Sequence, residues 1–450
     1  MPAPEDNYHK DVDFTSLALR YPDFAKKLKS NRQLDFSDPE SVRQLTKALL
    51  HRDFDLKIEI PEDRLCPPVP NRFNYILFAQ RLLDSTQDNY NEKYDPNRRV
   101  IGLDIGTGAS AIYPLLACRQ RESWLFLATE IDPTSRSFAQ GNIKLNNLDS
   151  RIKILDTDTT GKTLIPSTQL ERFDRIDILL TNPPFYTSEA ELEALAKQKS
   201  RPPNSACTGA PVEMICSGGE VAFVSKLIQE STLDYNKTKI QWFSSMLGKL
   251  SSVTVLIEKL REVGCTNYAV TELVQGQKTR RWCIAWSWLG LRPALVIARG
   301  TDAVDKKYLS FPTELEIALT QPAKAIVERI NTEMSKLDGV DWKWRPSLMA
   351  GIGRSMDGDV WSRHARRKRK KLAADNDSSM KIDSSTKEKE EAVDSSEDDA
   401  EPEPQFVYKV TCTSNLSDSN TFMLTLRWLQ GHDSTIFESF HGWLKRKLTA

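Results

Sequence analysis

The hexapeptide Thr181-Asn182-Pro183-Pro184-Phe185-Tyr186 combines residue types suited to holding an amine. Two consecutive prolines stiffen the backbone, so the Asn182 carboxamide and the Pro183 carbonyl keep a preset geometry. An exocyclic amine on a conjugated ring has two N–H bonds and a lone pair delocalised into the ring. Acceptors at Asn182 Oδ1 and the Pro183 carbonyl bind both N–H groups and favour a tetrahedral nitrogen. The lone pair then points at an electrophile held in line, which is catalysis by orientation more than by proton transfer. Phe185 adds an aromatic face for a base taken out of its stack. The plainer alternative is an ordinary Asn-Pro turn with core aromatics.

A second constellation lies upstream. Gly102-Leu103-Asp104-Ile105-Gly106-Thr107-Gly108 follows an apolar stretch and precedes a helical pattern. Glycines in such a turn let backbone amides approach a ligand closely. Glu130 ends the next apolar stretch, where a carboxylate can accept both hydroxyls of a ribose. The alternative is a helix-capping turn with a solvated glutamate.

These residues need a sheet to bring them together, and the pattern predicts one. Short apolar strands are expected at 100–105, 124–130, 152–155, 176–181, 241–247, 268–274 and 282–288. Helices are expected between most of them, at 133–146, 219–232 and 252–263. That alternation predicts an α/β, doubly wound, mainly parallel sheet, whose ligands sit outside the carboxyl ends of the strands. The stretch 187–218 is too long for a simple connector and reads as a substrate loop. Residues 1–97 read as a helical N-terminal extension, with Asp38-Pro39 as an N-cap and first-turn pair and a second helix from about Asn71. Trp282, Trp286 and Trp288 alternate on a strand; they read as core in preference to stacking platforms.

From residue 290 to 450 the texture changes to a small α+β domain. A helix is expected over 313–337, kinked at Pro322, then strands around 406–412 and 422–428 and a final helix carrying Ile436, Phe440, Leu444 and Leu448. The net charge of zero conceals a division: residues 372–404 hold 12 acids and 3 lysines, leaving 59 basic against 50 acidic residues elsewhere. That acidic stretch reads as a disordered linker. Just before it, residues 363–371 place seven cations in nine positions. Arg366, Arg367, Lys368 and Arg369 belong to this run, which can grip RNA phosphates, serve as a nuclear-import address, or cap the linker. Apolar residues make up 39% of the chain with no run long enough for a membrane span, and the polar N-terminus predicts neither a secretory nor a transit segment. Seven cysteines without a C-x-x-C pair, and five scattered histidines, predict buried thiols and no metal site.

The wording of the chain resembles one family. Tyr21-Pro-Asp-Phe24, Pro70-Asn-Arg-Phe-Asn-Tyr75, Asp104-Ile-Gly-Thr-Gly-Ala-Ser110, Ala128-Thr-Glu130, Asn182–Phe185, Gly218-Gly-Glu220, Met246-Leu-Gly-Lys249 and Arg281-Trp282 are similar to the eukaryotic U6 small nuclear RNA adenine-N6 methyltransferases. These enzymes are related to the bacterial 23S ribosomal RNA adenine-N6 methyltransferase F. The resemblance covers about residues 8–289 and resumes more faintly at 406–448, which is similar to the C-terminal RNA-binding domain of the eukaryotic members.

The resemblance implies a Rossmann-like class I methyltransferase core at 98–289 with a seven-stranded sheet, S-adenosylmethionine as cofactor, structured RNA as partner and the nucleus, or the cytoplasm, as location. It assigns Arg72 to the methionine carboxylate, Gly106 to the methionine end, Glu130 to the ribose and Thr163 to the adenine region. Asn182 would touch cofactor and amine, with Pro183, Pro184 and Phe185 completing the catalytic turn. Lys162, Lys278 and Arg281 would meet RNA. Lys278 stands where arginine is more usual and Gln277 is an insertion, so the planar fork is lost there. Two rival readings are N5-glutamine methylation of a protein, which the same turn could orient, and an RNA-binding protein on an inactive methyltransferase fold.

Overall fold

The computed structural model describes residues 8, 12–157, 162–188, 209–275, 279–365, 367, 371, 403–414 and 422–449. They form two units: Met1–Leu289 with Leu295–Ser310, and Gly290–Ala294 with Phe311–Ala450.

The first unit is built on a sheet of β1 (Val100–Ile105), β2 (Trp124–Thr129), β3 (Ile152–Ile154), β4 (Ile176–Thr181), β5 (Ile240–Leu247), β6 (Asn267–Gln275), β7 (Thr279–Ser287) and β8 (Arg299–Gly300). Their order is β3-β2-β1-β4-β5-β7-β6-β8. Every pairing is parallel except those of β7, which runs antiparallel to both β5 and β6. Seven strands lie where the apolar runs predict them. The eighth was not foreseen: two residues are too few to carry a period, and Arg299–Gly300 joins the edge only through its pairing with Val270 and Thr271. The alternation therefore extends beyond residue 290.

Both faces of this sheet are covered, which is why its strands are nearly continuous apolar runs. One core packs the helices Pro39–Phe54, Val69–Asp84 and Ile112–Gln120 against residues such as Phe126, Ile178 and Trp242. The other packs Gly219–Ser231 and Leu250–Glu262 against Leu103, Leu179 and Phe243. Asp38 caps the first of these helices by accepting from the backbone N–H groups of Glu40 and Ser41. Gly102 has a packing reason: a Cβ there would lie 2.3 Å from Phe126 Cζ.

The second unit has a five-stranded antiparallel sheet, ordered β10-β11-β12-β13-β9, from β9 (Glu314–Leu319), β10 (Val340–Arg345), β11 (Ala350–Ser355), β12 (Phe406–Ser414) and β13 (Phe422–Gln430). The helices Ala323–Ser335 and Ser434–Thr449 contribute Ile326, Ile330, Phe437, Phe440 and Leu444 to its core. The expected helix over 313–337 is corrected here. Its first part is β9, with Ile317 and Leu319 buried, and Pro322 is the N-cap of a helix that starts after it. Proline has no N–H to give a preceding turn, so it opens the helix and does not kink it. The long acidic stretch 372–404 lies outside the described residues apart from 403 and 404. No helix among the described residues is long and apolar enough to cross a membrane.

Candidate active site

The carboxyl ends of β1, β2 and β4 carry the predicted residues. After β1 the chain turns through Gly106 at φ +72° and Gly108 at φ +65°, left-handed conformations that disfavour a side chain. A Cβ on Gly106 would meet nothing within 4 Å, so the turn borders open space. Gly106 N–H donates to Thr129 Oγ1 at 3.2 Å, and Gly108 N–H donates to Glu130 Oε2 at 2.8 Å. Glu130 Oε1 accepts from Asp132 N–H at 2.9 Å. The carboxylate is thus held at both oxygens beside the turn, with lone pairs left for hydroxyl donors. Glu130 is buried, and desolvation holds its carboxyl above the usual range.

The Asn182–Phe185 turn follows β4 directly. Arg72, buried on the helix Val69–Asp84, donates from Nη1 to Asn182 Oδ1 at 3.0 Å and to Met246 Sδ at 2.9 Å. Its guanidinium also lies 5.7 Å from the Tyr113 ring centroid, within cation–π range. Phe185 is half-buried and faces glycine: a Cβ on Gly248 would stand 3.0 Å from Phe185 Cδ1. Glu220 fixes that second turn, accepting from Gly248 N–H at 2.6 Å, Lys249 N–H at 3.1 Å and Ser252 Oγ–H at 2.5 Å. Arg281, on β7, lies 5.9 Å from the Phe185 ring centroid.

The structure therefore gathers Arg72, Asn182, Phe185 and Arg281 around one turn, and Gly106 and Glu130 around the neighbouring one. Pro183 is buried and Pro184 half-buried beside them. Lys162 and Thr163 are exposed residues of the β3–β4 connection, with no hydrogen bond to these groups. Lys278, Arg366, Lys368 and Arg369 lie outside the described residues, as do 189–208 of the expected substrate loop. The remainder of that loop contains the short helix Pro211–Met214 and a bridge between Tyr186 and Ile215. Arg367 is exposed in the second unit. Trp286 is a core residue and Trp288 packs half-buried against the same core; both donate to Ser231 Oγ, at 3.0 and 3.1 Å. Trp282, like Trp288, is half-buried and packs against the core; it also lines a cavity wall, and its Nε1 has no partner.

Two residues had no assigned role from sequence. Asp104 is fully buried near the end of β1; the Thr107 hydroxyl lies near it without well-formed hydrogen-bond geometry, and burial, which outweighs that neighbour, pushes its pKa up to about 7. An acid inside an apolar strand was the available signal. Glu213 accepts from Leu65 N–H and Ala210 N–H, both at 2.9 Å, and sits 3.7 Å from where a Gly108 Cβ would be. Nothing in its spacing announces that position.

Comparison with known proteins agrees with this geometry. Residues 3–290 match the family described as RNA methyltransferase. The U6 small nuclear RNA (adenine-(43)-N(6))-methyltransferase of Schizosaccharomyces pombe is 36% identical over 418 residues, covering 93% of this chain and 96% of that protein. The RNA N(6)-adenosine-methyltransferase METTL16 of Homo sapiens is 40% identical over 291 residues, covering 63% of this chain and 50% of that protein, so the chain spans about half of it. Among solved structures, the human METTL16 catalytic domain in complex with MAT2A 3'UTR hairpin 1 is 37% identical with a TM-score of 0.55, covering 63% of this chain and 94% of that one. The N-terminal domain of human METTL16 in complex with SAH is 36% identical with a TM-score of 0.51, covering 64% and 98% respectively.

Proposed function

The chain belongs to the RNA methyltransferase family, and from that premise we propose that it methylates the N6 amine of an adenosine in RNA, with S-adenosylmethionine as donor and U6 small nuclear RNA as substrate. The observation that carries this reading is the Asn182-Pro183-Pro184-Phe185 turn at the end of β4, with the Asn182 oxygen fixed by Arg72. The Schizosaccharomyces pombe relative, named for U6 RNA, supports the substrate, and a small nuclear RNA substrate supports a nuclear location.

The site fits the donor. Glu130 would hold the ribose hydroxyls; Asp104, an unpartnered buried carboxyl, suits an ammonium; and the open space beside Gly106 admits the methionine end. Arg72 would bind the methionine carboxylate with its guanidinium fork, Thr163 would approach the adenine, and Lys162, Lys278 and Arg281 would meet RNA. When bound, the donor supplies an electrophilic methyl group on a sulfonium. The chain's own residues then orient the nucleophile. Asn182 Oδ1 and the Pro183 carbonyl accept the two amine N–H groups, and Phe185 supports the extruded base.

The test is to incubate the protein and radiolabelled S-adenosylmethionine with U6 RNA, total RNA or a protein extract. Label on a single U6 adenosine is expected. Label on protein glutamine, or on nothing despite RNA binding, overturns the reading.

A further inference from the structure

A cavity of about 630 Å³ lies in the first unit, walled by Leu250, Glu272, Arg280, Trp282, Arg299 and residues 300–303. That volume is in the range of small-ligand sites, about 300–1,000 Å³. Its place in the sheet is informative. Leu250 comes just after β5, Glu272 is near the end of β6, residues 300–303 finish and follow β8, and Arg280 and Trp282 begin the antiparallel β7. The cavity therefore opens on the same carboxyl edge as the Asn182 turn, where sheets of this kind take ligands.

It is also next to the amine site. Trp282 follows Arg281, whose guanidinium lies over Phe185, and neighbouring residues of a strand point to opposite faces. Leu250 is two residues beyond Gly248, which packs against the same Phe185 ring. One piece of β7 thus separates the catalytic turn from the cavity.

The lining has the chemistry of a nucleotide site: a large aromatic, cationic forks and a few polar edges. Arg280 pairs with Glu272 at 2.8 Å, and Thr301 and Asp302 complete the wall. Trp282 Nε1 and Arg299 Nε are buried donors without an acceptor. Both atoms are sealed from solvent, so what the cavity offers a ligand is the half-buried Trp282 ring and the half-exposed Arg280 guanidinium. Trp286 and Trp288 have no such deficit, since Ser231 serves both.

We infer that this cavity receives one unpaired nucleotide of the substrate RNA, flanking the adenosine held at Asn182; the inference rests on the RNA-methylating reading above. A flipped adenosine breaks the stacking of its neighbours, and a pocket one strand away recovers part of that loss.

A double-mutant cycle tests this. The full-length protein, as wild type, Trp282→Leu and Arg280→Ala, is titrated with U6 RNA and with versions made abasic at each position flanking the mapped adenosine. For the wild type, one abasic position should weaken binding about tenfold, the worth of one base stacked on an aromatic side chain. With Trp282→Leu the same lesion should cost less than about twofold, because the pocket no longer rewards the base. Should Trp282→Leu fail to fold in a thermal melt, Ala303→Phe fills the cavity from its loop and is read in the same way. Additive effects at every position overturn the inference, as does uridine monophosphate or guanosine monophosphate binding there without coupling to any RNA lesion. The cycle reads affinity, so coupling without methyl transfer would refute the catalytic reading alone.

Discussion

Arg72 Nη1 donates to Asn182 Oδ1 at 3.0 Å, across 110 residues of sequence, and this contact decides which edge of the carboxamide is the acceptor. A carbonyl oxygen has two lone pairs, so one remains for an amine N–H. Asn182→Ala should lower the transfer rate at saturating RNA and cofactor about 10²–10³-fold, the usual effect of losing one oriented polar group in a dry site. RNA affinity should stay within about threefold, since little uniform binding is lost. Single-turnover kinetics with filter binding checks both; near-normal turnover would remove Asn182 from the chemistry.

Glu130→Ala should weaken S-adenosylmethionine binding by about 1.5–3 kcal/mol, the range for hydrogen bonds to a charged acceptor. Calorimetry with the cofactor alone measures it. An unchanged dissociation constant would place the ribose elsewhere.

Asp104 opposes folding and binding against each other. Its pKa in the folded protein is about 7 against an ordinary 3.8, so the folded protein binds a proton that the unfolded chain releases between those values. Stability therefore falls as pH rises through that window. Asp104→Asn lacks this loss and should raise the Tm of the cofactor-free protein more at pH 8 than at pH 5. If Asp104 meets the donor's ammonium as proposed, the same substitution should also weaken S-adenosylmethionine binding. A pH-independent change in Tm would show that the buried carboxyl does not titrate in this range.

The unit boundary gives a prediction about truncation. Residues 1–310 should fold and bind cofactor but hold RNA more weakly than the full chain. Ending at 289 removes β8 and the Tyr308 carbonyl that accepts from Tyr268 Oη at 2.9 Å. Residues 1–289 should accordingly melt at a lower temperature than 1–310. Equal melting temperatures would make 295–310 dispensable.

Replacing Arg366, Arg367, Lys368, Arg369, Lys370 and Lys371 with serine should flatten the salt dependence of RNA binding. Each lost phosphate contact lowers the log–log slope by about 0.7–0.9, and a drop of about two to four units is expected. Cofactor affinity should not move. An unchanged slope combined with failure to enter the nucleus would make the run an address.

The first sheet was legible because apolar runs are punctuated by Gly and Pro at the turns that matter, as at Gly106 and Pro183. β9 was not. Glu314, Leu315, Glu316 and Ala318 are good helix formers, and only pairing with β13 makes them a strand, so tertiary contact overrides local preference. The outward Asp341 and Lys343 similarly disguise β10, an edge strand. Within the site, Glu130 could be found from its distance to the glycine turn. The Arg72–Asn182 contact could be expected only through the family resemblance, because no spacing rule relates a helix residue to a turn so far along the chain.

The β6–β7 ladder runs unbroken from Asn267 opposite Ser287 to Gln275 opposite Thr279. Which side each β7 residue faces is thus a question of odd and even positions along the ladder. Any change that keeps this register leaves Arg281 facing Phe185 and Trp282 the cavity. The ladder acts as a keyway: a slip of a single residue would turn Arg281 away from Phe185 and present Trp282 in its place.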